Sequence, residues 1–180
     1  TINPDSDYSS EQVIYVAIAA SVEDFYDNAI SASSITFTAV DSVSPTIVFD
    51  PTDLEGQVPV TDKITLTFSE AIRKIDSNTT LNDTNVDALI TLKDTNENGT
   101  DIGFNATIND PTNTIITIVP DSSFSSEQTV YVAIGATVED YSDNAITESS
   151  ITFVAIDSTA PNLDFTPADS ATGIAVNSDI

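Results

Sequence analysis

The run TINPDSDYSSEQVIYVAIAASVEDFYDNAI, residues 1–30, returns as TIVPDSSFSSEQTVYVAIGATVEDYSDNAI, residues 117–146. The correspondence extends without insertion or deletion from Thr1–Ile64 onto Thr117–Ile180, an offset of 117 − 1 = 116 residues. More than half of the paired positions are identical, and most replacements exchange like for like: Tyr8 for Phe124, Phe25 for Tyr141, Val40 for Ile156. A period of this length is a whole small domain, because solenoid units run only about 20 to 50 residues. The expectation is a window on a tandem array that starts and stops in mid-repeat. Residues 1–43 form the C-terminal part of one repeat, 44–159 a complete repeat, and 160–180 the start of the next.

Within the repeat the apolar residues recur with period two, the spacing of a half-buried strand. Ile64, Leu66 and Phe68 alternate with Thr65, Thr67 and Ser69; Ala88, Ile90 and Leu92 alternate with Leu89, Thr91 and Lys93. Ile102, Phe104, Ala106 and Ile108 alternate with Gly103, Asn105 and Thr107. Further strands are expected near Thr46–Phe49, Thr114–Val119, Thr129–Gly135 and Ser149–Ile156. Clusters of Asp, Asn, Ser and Pro between them supply turn chemistry. About seven short strands in a hundred-odd residues predict an all-β fold, a β-sandwich.

The net charge is −25, from 29 acidic residues against Lys63, Arg73, Lys74 and Lys93. That balance repels nucleic acid and anionic membrane surfaces and attracts divalent cations. It serves solubility in a salty or calcium-rich medium equally well. Cys, His, Trp and Met are absent. Disulfides, ordinary zinc sites and Cys/His or Ser/His/Asp catalysis are therefore excluded. No apolar run approaches the length of a membrane span, so direct membrane insertion of this segment is not expected.

Proline marks the joints. DSVSPTIVFDP (Asp41–Pro51) and DSTAPNLDFTP (Asp157–Pro167) occupy equivalent places. Pro45 and Pro161 fix φ and lack an amide hydrogen, which suits a stiff joint or an edge strand. With domain starts near Ser44 and Ala160, the linker spans a few residues and neighbouring repeats must touch, making a rod rather than a flexible string.

The run DSTAPNLDFTPADSATGIAVNSDI, continued in the earlier copy by TLTFSEAI, resembles the opening of bacterial Ig-like domains, particularly the surface-layer variant. That family shows an Asp…Pro joint, a P-x-D-x-A-x-x-V turn and a TFSE strand. The segment YVAIGATVEDYSDNAI is similar to its Y-x-V…V-x-D-x-x-G-N-x-L stretch, with Asp143 where Gly is usual. The resemblance covers the whole repeat. It implies tandem Ig-like β-sandwiches of about seven antiparallel strands, as found in adhesins, surface layers and accessory modules of secreted enzymes; it implies no activity.

Three groups of oxygen ligands are candidates for calcium. Asp94, Asn96, Asn98 and Gly99 follow the first half of a calcium loop, and Asp101 adds a carboxylate. At the twelfth position Asn105 replaces the bidentate Glu and the flanks read as strands, so an EF-hand is not expected. A tight Asn-Gly hairpin is the alternative. Asp140, Asp143 and Asn144, beside Glu139, repeat Asp24, Asp27 and Asn28 beside Glu23, as a cation-binding turn or simply an Asx turn. The third candidate is the joint, where Asp41 and Asp157 precede the linkers and Glu70 closes the TFSE strand.

Carboxylate pairs suited to glycoside hydrolysis arise by chance among so many acids, and no pair stands beside aromatic platforms. Lys63 is replaced by Asp179 in the other copy, which excludes a repeat-wide isopeptide crosslink there. Sequons at Asn78, Asn82, Asn98 and Asn105 are expected by chance in a chain rich in Ser and Thr. The family pattern places Tyr131, Ala133 and Gly135 toward the core. Val130, Val132 and Ile134, and in the first copy Ile14, Val16 and Ile18, are then left as an outward stripe, an interface with another chain or a neighbouring domain. A register slip of one residue would reverse that assignment.

Taken together, the expectation is a non-enzymatic, acidic, calcium-rigidified segment of a long extracellular tandem-repeat protein at the cell surface. It is an adhesin shaft or filament whose partners are neighbouring repeats and other copies of the chain, with the adhesion target open. A surface-layer lattice subunit and a spacer module of a secreted hydrolase are the alternatives.

Overall fold

Alternating β-branched and aromatic residues form strands because the pleat sends every second side chain to the core. In a computed structural model, describing residues 1–75, 79–109, 111–173 and 175, eleven strands result. They are β1 (Val13–Ile18), β2 (Ser33–Thr38), β3 (Ile47–Asp50), β4 (Ile64–Phe68), β5 (Arg73–Lys74), β6 (Ile90–Asp94), β7 (Phe104–Ile108), β8 (Ile115–Pro120), β9 (Thr129–Ile134), β10 (Val138–Glu139) and β11 (Ser149–Val154). A single-turn 3-10 helix, Asp87–Leu89, precedes β6. It takes in Ala88 and Leu89, which the alternation placed in the strand; the strand itself begins at Ile90. The Asn78 sequon and Asp179 lie outside the described residues; Asn82, Asn98 and Asn105 are exposed.

Two antiparallel sheets make the sandwich. One has the order β3-β4-β8-β7, the other β11-β9-β6. Ile64, Leu66, Ile116, Ile118 and Ala106 from the first meet Leu92, Val130, Val132, Ile134 and Phe153 from the second in one apolar core. β10 and β5 pair as a separate two-stranded ribbon. Along β11 the outer edge is covered by residues 53–58, with Leu54 donating to the Thr152 carbonyl at 2.6 Å and Val58 to the Val154 carbonyl at 3.1 Å. The outer edge of β7 meets carboxylates instead. The Ala106 amide donates to Asp87 Oδ1 at 2.6 Å and the Ile108 amide to Asp83 Oδ1 at 2.9 Å.

The outward stripe is corrected by this packing. Val130, Val132 and Ile134 are fully buried, while Tyr131 on the alternate face is only partly covered. The register is one residue opposite to the one implied by the family pattern. β9 is the central strand of its sheet, and its large β-branched side chains fill the space between the sheets.

Residues 1–43 repeat the end of this fold without its front. β1 pairs with β2 from Val13↔Thr38 to Ile18↔Ser33, and β9 pairs with β11 from Thr129↔Val154 to Ile134↔Ser149. Adding 116 to each residue of the first register gives the second. Tyr8 meets Phe37 edge-on at 6.0 Å, as Phe124 meets Phe153 at 5.5 Å. In the first copy Ile14 and Val16 are half-buried and Ile18 is exposed.

Candidate metal centre at the repeat joint

Asp41 leaves β2 on a short extension pinned to the first copy. Its Oδ1 accepts from Ser10 Oγ at 2.6 Å and from the Val43 amide at 3.0 Å, while the Ser42 amide donates to Ser10 Oγ at 2.9 Å. The Asp41 carbonyl crosses to the next unit and accepts from Asn144 Nδ2 at 3.2 Å. There Glu70, just past β4, and Asp140, just past β10, bring carboxylates toward it. One oxygen each from Asp41, Glu70 and Asp140 lies within 4.8 Å of the others. Oxygens on opposite sides of a calcium ion at about 2.4 Å are about 4.8 Å apart, so the spread suits that cation.

The electrostatics fit a cation as well. Desolvation pushes the Glu70 carboxyl above its usual range, and Asp140, Asp41 and Glu11 add like-charge repulsion in the same direction. Burial also pushes Asp140 up. Hydrogen bonds from the Asn144 side chain, the Asn144 amide and the Ser142 amide, with the Arg73 charge, outweigh burial and hold it below its usual range. Asp140 thus stays ionised although almost wholly inaccessible. With no His, Cys or Met in the chain, every available ligand is a hard oxygen donor, suited to calcium or magnesium rather than a soft metal.

The other expected ligand sets are not assembled this way. Asp94 turns into its own loop, its Oδ1 accepting from the Thr100 amide at 2.6 Å, and Asn96 Oδ1 caps the Asn98 amide at 2.9 Å. Asp101 already pairs with Lys93 at 2.7 Å. Lys93 and Asp101 form an isolated bridge, after which the chain crosses from the sheet of β6 to that of β7. Gly99 faces the Asp94 carbonyl so closely that a Cβ there would collide with it. Asp94, Asn96, Asn98 and Asp101 therefore form a self-bonded turn at a change of sheet.

The acidic turn after β10 divides its labour. Asp140 Oδ1 accepts from the Ser142 amide at 2.7 Å and the Asn144 amide at 2.9 Å, and Oδ2 accepts from Asn144 Nδ2 at 2.8 Å. Asp143 sits apart, at φ 69°, with its carboxylate on Arg73. Asp tolerates this left-handed backbone better than most residues, which accommodates the departure from the family's Gly. Arg73 also pairs with the buried Glu139 at 3.2 Å and lies 5.5 Å from the Tyr141 ring centroid. Sequence reasoning missed this cluster; its one signal was the scarcity of cations. Asp157 repeats the bonds of Asp41, accepting from Ser126 Oγ at 2.7 Å and the Thr159 amide at 2.8 Å. Among the described residues no pair of carboxylates converges on it.

The order β3-β4-β8-β7 facing β11-β9-β6 defines an immunoglobulin-like sandwich of the seven-strand, constant type. Its front edge begins where the joint carboxylates meet. The pattern of the bacterial Ig-like domain matches residues 41–154, and the chain belongs to that family. No curated protein matches the chain. Among solved structures, the crystal structure of CopC from Methylosinus trichosporium OB3b is similar over 66% of this chain and 99% of that one, at 13% identity and a TM-score of 0.44. A likeness of that degree says nothing about the ligands of this chain. The bacterial Ig-like domain is a non-catalytic domain type that occurs in bacterial surface proteins. No helix among the described residues is long and apolar enough to cross a membrane.

Proposed function

We propose that the chain is a non-enzymatic structural segment of a long extracellular tandem-repeat protein, the shaft of an adhesin or a cell-surface filament, whose joints are hardened by calcium. The observation that carries this is the joint, where Asp41 of one copy meets Glu70 and Asp140 of the next within 4.8 Å. Three neighbouring carboxylates, with Glu70 partly desolvated, repel one another, and a divalent cation would turn the repulsion into a clamp on the angle between units. Ser10 and Asn144 would orient the ligands through their bonds to Asp41 and Asp140, and the ion would add positive charge among them. The perfect 116-residue offset supports a shaft, since equal units on short joints repeat one geometry along the chain.

Electron microscopy of native cell-surface material, with calcium and after chelation, tests the proposal. Threads with a regular axial repeat, straight in calcium and bent without it, are the expected result. A two-dimensional lattice would move the assignment to a surface layer. The absence of both forms would leave the spacer module of a secreted hydrolase in front.

A further inference from the structure

The two faces of the sheet β3-β4-β8-β7 differ in chemistry. Phe49, Leu66, Ile116 and Ala106 point into the core. The alternate residues point away from it and line up in rows across the strands. Asp50, Thr65, Thr117 and Thr107 form one row, Val48, Thr67 and Ile115 a second, and Val119 with Asn105 a third. In a chain with 29 acidic residues and a net charge of −25, this face carries one charge, that of Asp50 on the outer strand. Val48 is 65% and Val119 40% exposed. The outer face of β11-β9-β6 is different, with Lys93 on it, paired to Asp101, and Asp53 bonded to its edge strand at the Thr152 amide.

Charge limits what can cover such a face. A cationic partner is drawn to the carboxylates elsewhere on the chain and gains nothing from threonines and valines. A second copy of the chain is repelled wherever acids face acids, and that repulsion is least where the two threonine faces are apposed. Seven of the nine residues in the rows are Thr, Val or Ile, stiff at χ1, so ordering them in a contact costs little. The threonine hydroxyls bond across the contact or to trapped water, which leaves few polar groups stranded.

We propose that the outer face of β3-β4-β8-β7 is a contact between two copies of this chain, sheet against sheet about a two-fold axis. Four strands of about five residues offer roughly 300 Å² of plane. Twice that, roughly 600 Å², falls short of the 1,200 Å² or so that a stable dimer buries. A single contact is therefore weak. On the tandem-array reading, and only there, the face recurs every 116 residues and weak contacts add along two neighbouring threads.

The test follows the 180-residue chain in chelator, by amide chemical shifts and sedimentation at rising concentration. Self-association near about 1 mM is expected. It should tighten roughly tenfold as salt rises from about 0.01 to about 1 M, which shortens the Debye length from about 30 to about 3 Å and screens the acidic surfaces from one another. The shifts should centre on Thr67, Thr117 and Val119. Thr67→Glu should weaken association at least roughly tenfold with the melting temperature unchanged, and mixing it with Thr67→Lys should restore association. Thr91→Glu, exposed on the outer face of β6, should associate as the parent does. A chain that stays monomeric in high salt, a Thr67→Glu variant that associates like the parent, or shifts centred on Ile35 and Phe37 of the first hairpin would overturn the proposal. Because one complete unit is enough for this contact, its failure is distinct from an absence of threads in native material.

Discussion

The hairpins β1–β2 and β9–β11 share sequence, register, turn and aromatic pair, yet Phe37 is 41% exposed and Phe153 is fully buried. The difference separates what a hairpin specifies by itself from what its surroundings supply. Local residues set the pairing. Gln12 accepts from the Ser9 amide and Gln128 from the Ser125 amide, and Asp24 and Asp140 each gather the amides two and four residues ahead. Burial is supplied only by the 44–116 half. The same side chains are therefore core in one copy and surface in the other.

Each comparison between the copies can be pushed until it breaks. The largest effect is expected at the aromatic pair. Phe153→Ala should cost about 3–5 kcal/mol through the cavity it leaves, and Phe37→Ala under about 0.5 kcal/mol; urea unfolding of the two variants checks this.

Calcium contrasts Asp41, which meets Glu70 and Asp140, with Asp157, on which no pair of carboxylates converges among the described residues. At a calcium concentration about 100-fold above Kd the joint should gain about 2.7 kcal/mol. Asp41→Asn should remove the gain and Asp157→Asn should not, as read by calorimetric titration and by melting with and without chelator.

Arg73→Ala leaves Glu139 buried without its cation and should cost about 2 kcal/mol. Glu23, the exposed counterpart of Glu139, should tolerate Gln with no measurable change in chemical denaturation.

The smallest effect concerns Glu70. Its carboxyl is held above the ordinary 4.5, so folding favours its protonated form. The associated stability is complete below that value and is lost as pH rises through the raised one. Asp140 runs the other way, its contribution present above 3.8 and lost as pH falls through the lowered value. In chelator, Glu70→Gln should therefore raise stability at pH 7 by roughly half a kcal/mol and flatten the loss that sets in above pH 4.5. A melting series in which the variant follows the parent throughout would count against repulsion at the joint.

The sandwich was legible because period-two alternation and the 116-residue offset are both written along the chain. The face of β9 was not, because Val130, Tyr131, Val132, Ala133 and Ile134 are apolar in succession and alternation within such a run has no polar mark. Packing decided it. The joint was legible in part. Asp41 and Glu70 were suspected from their places at the ends of elements, and Asp140 was assigned to a separate turn. Asp140 joins them because β10 pairs with β5 just beyond the Glu70 corner, a contact across more than sixty residues that no local pattern reports. Asp94 and Asp101 had the better local motif, and one oxygen of each is turned to a partner within the loop, Thr100 and Lys93.

Asp83 and Asp87, set against the outer amides of β7, have a consequence for crowding. Units strung on one thread meet at local concentrations of about a millimolar or more, and a bare strand edge at such concentrations invites the neighbour to zip onto it. Here the two amides that would begin the zipper are already bonded, and bonded to negative charge. An arriving strand must displace a carboxylate to find a partner. Two aspartates thus act as insulation along this edge, against pairing with any strand that comes beside it.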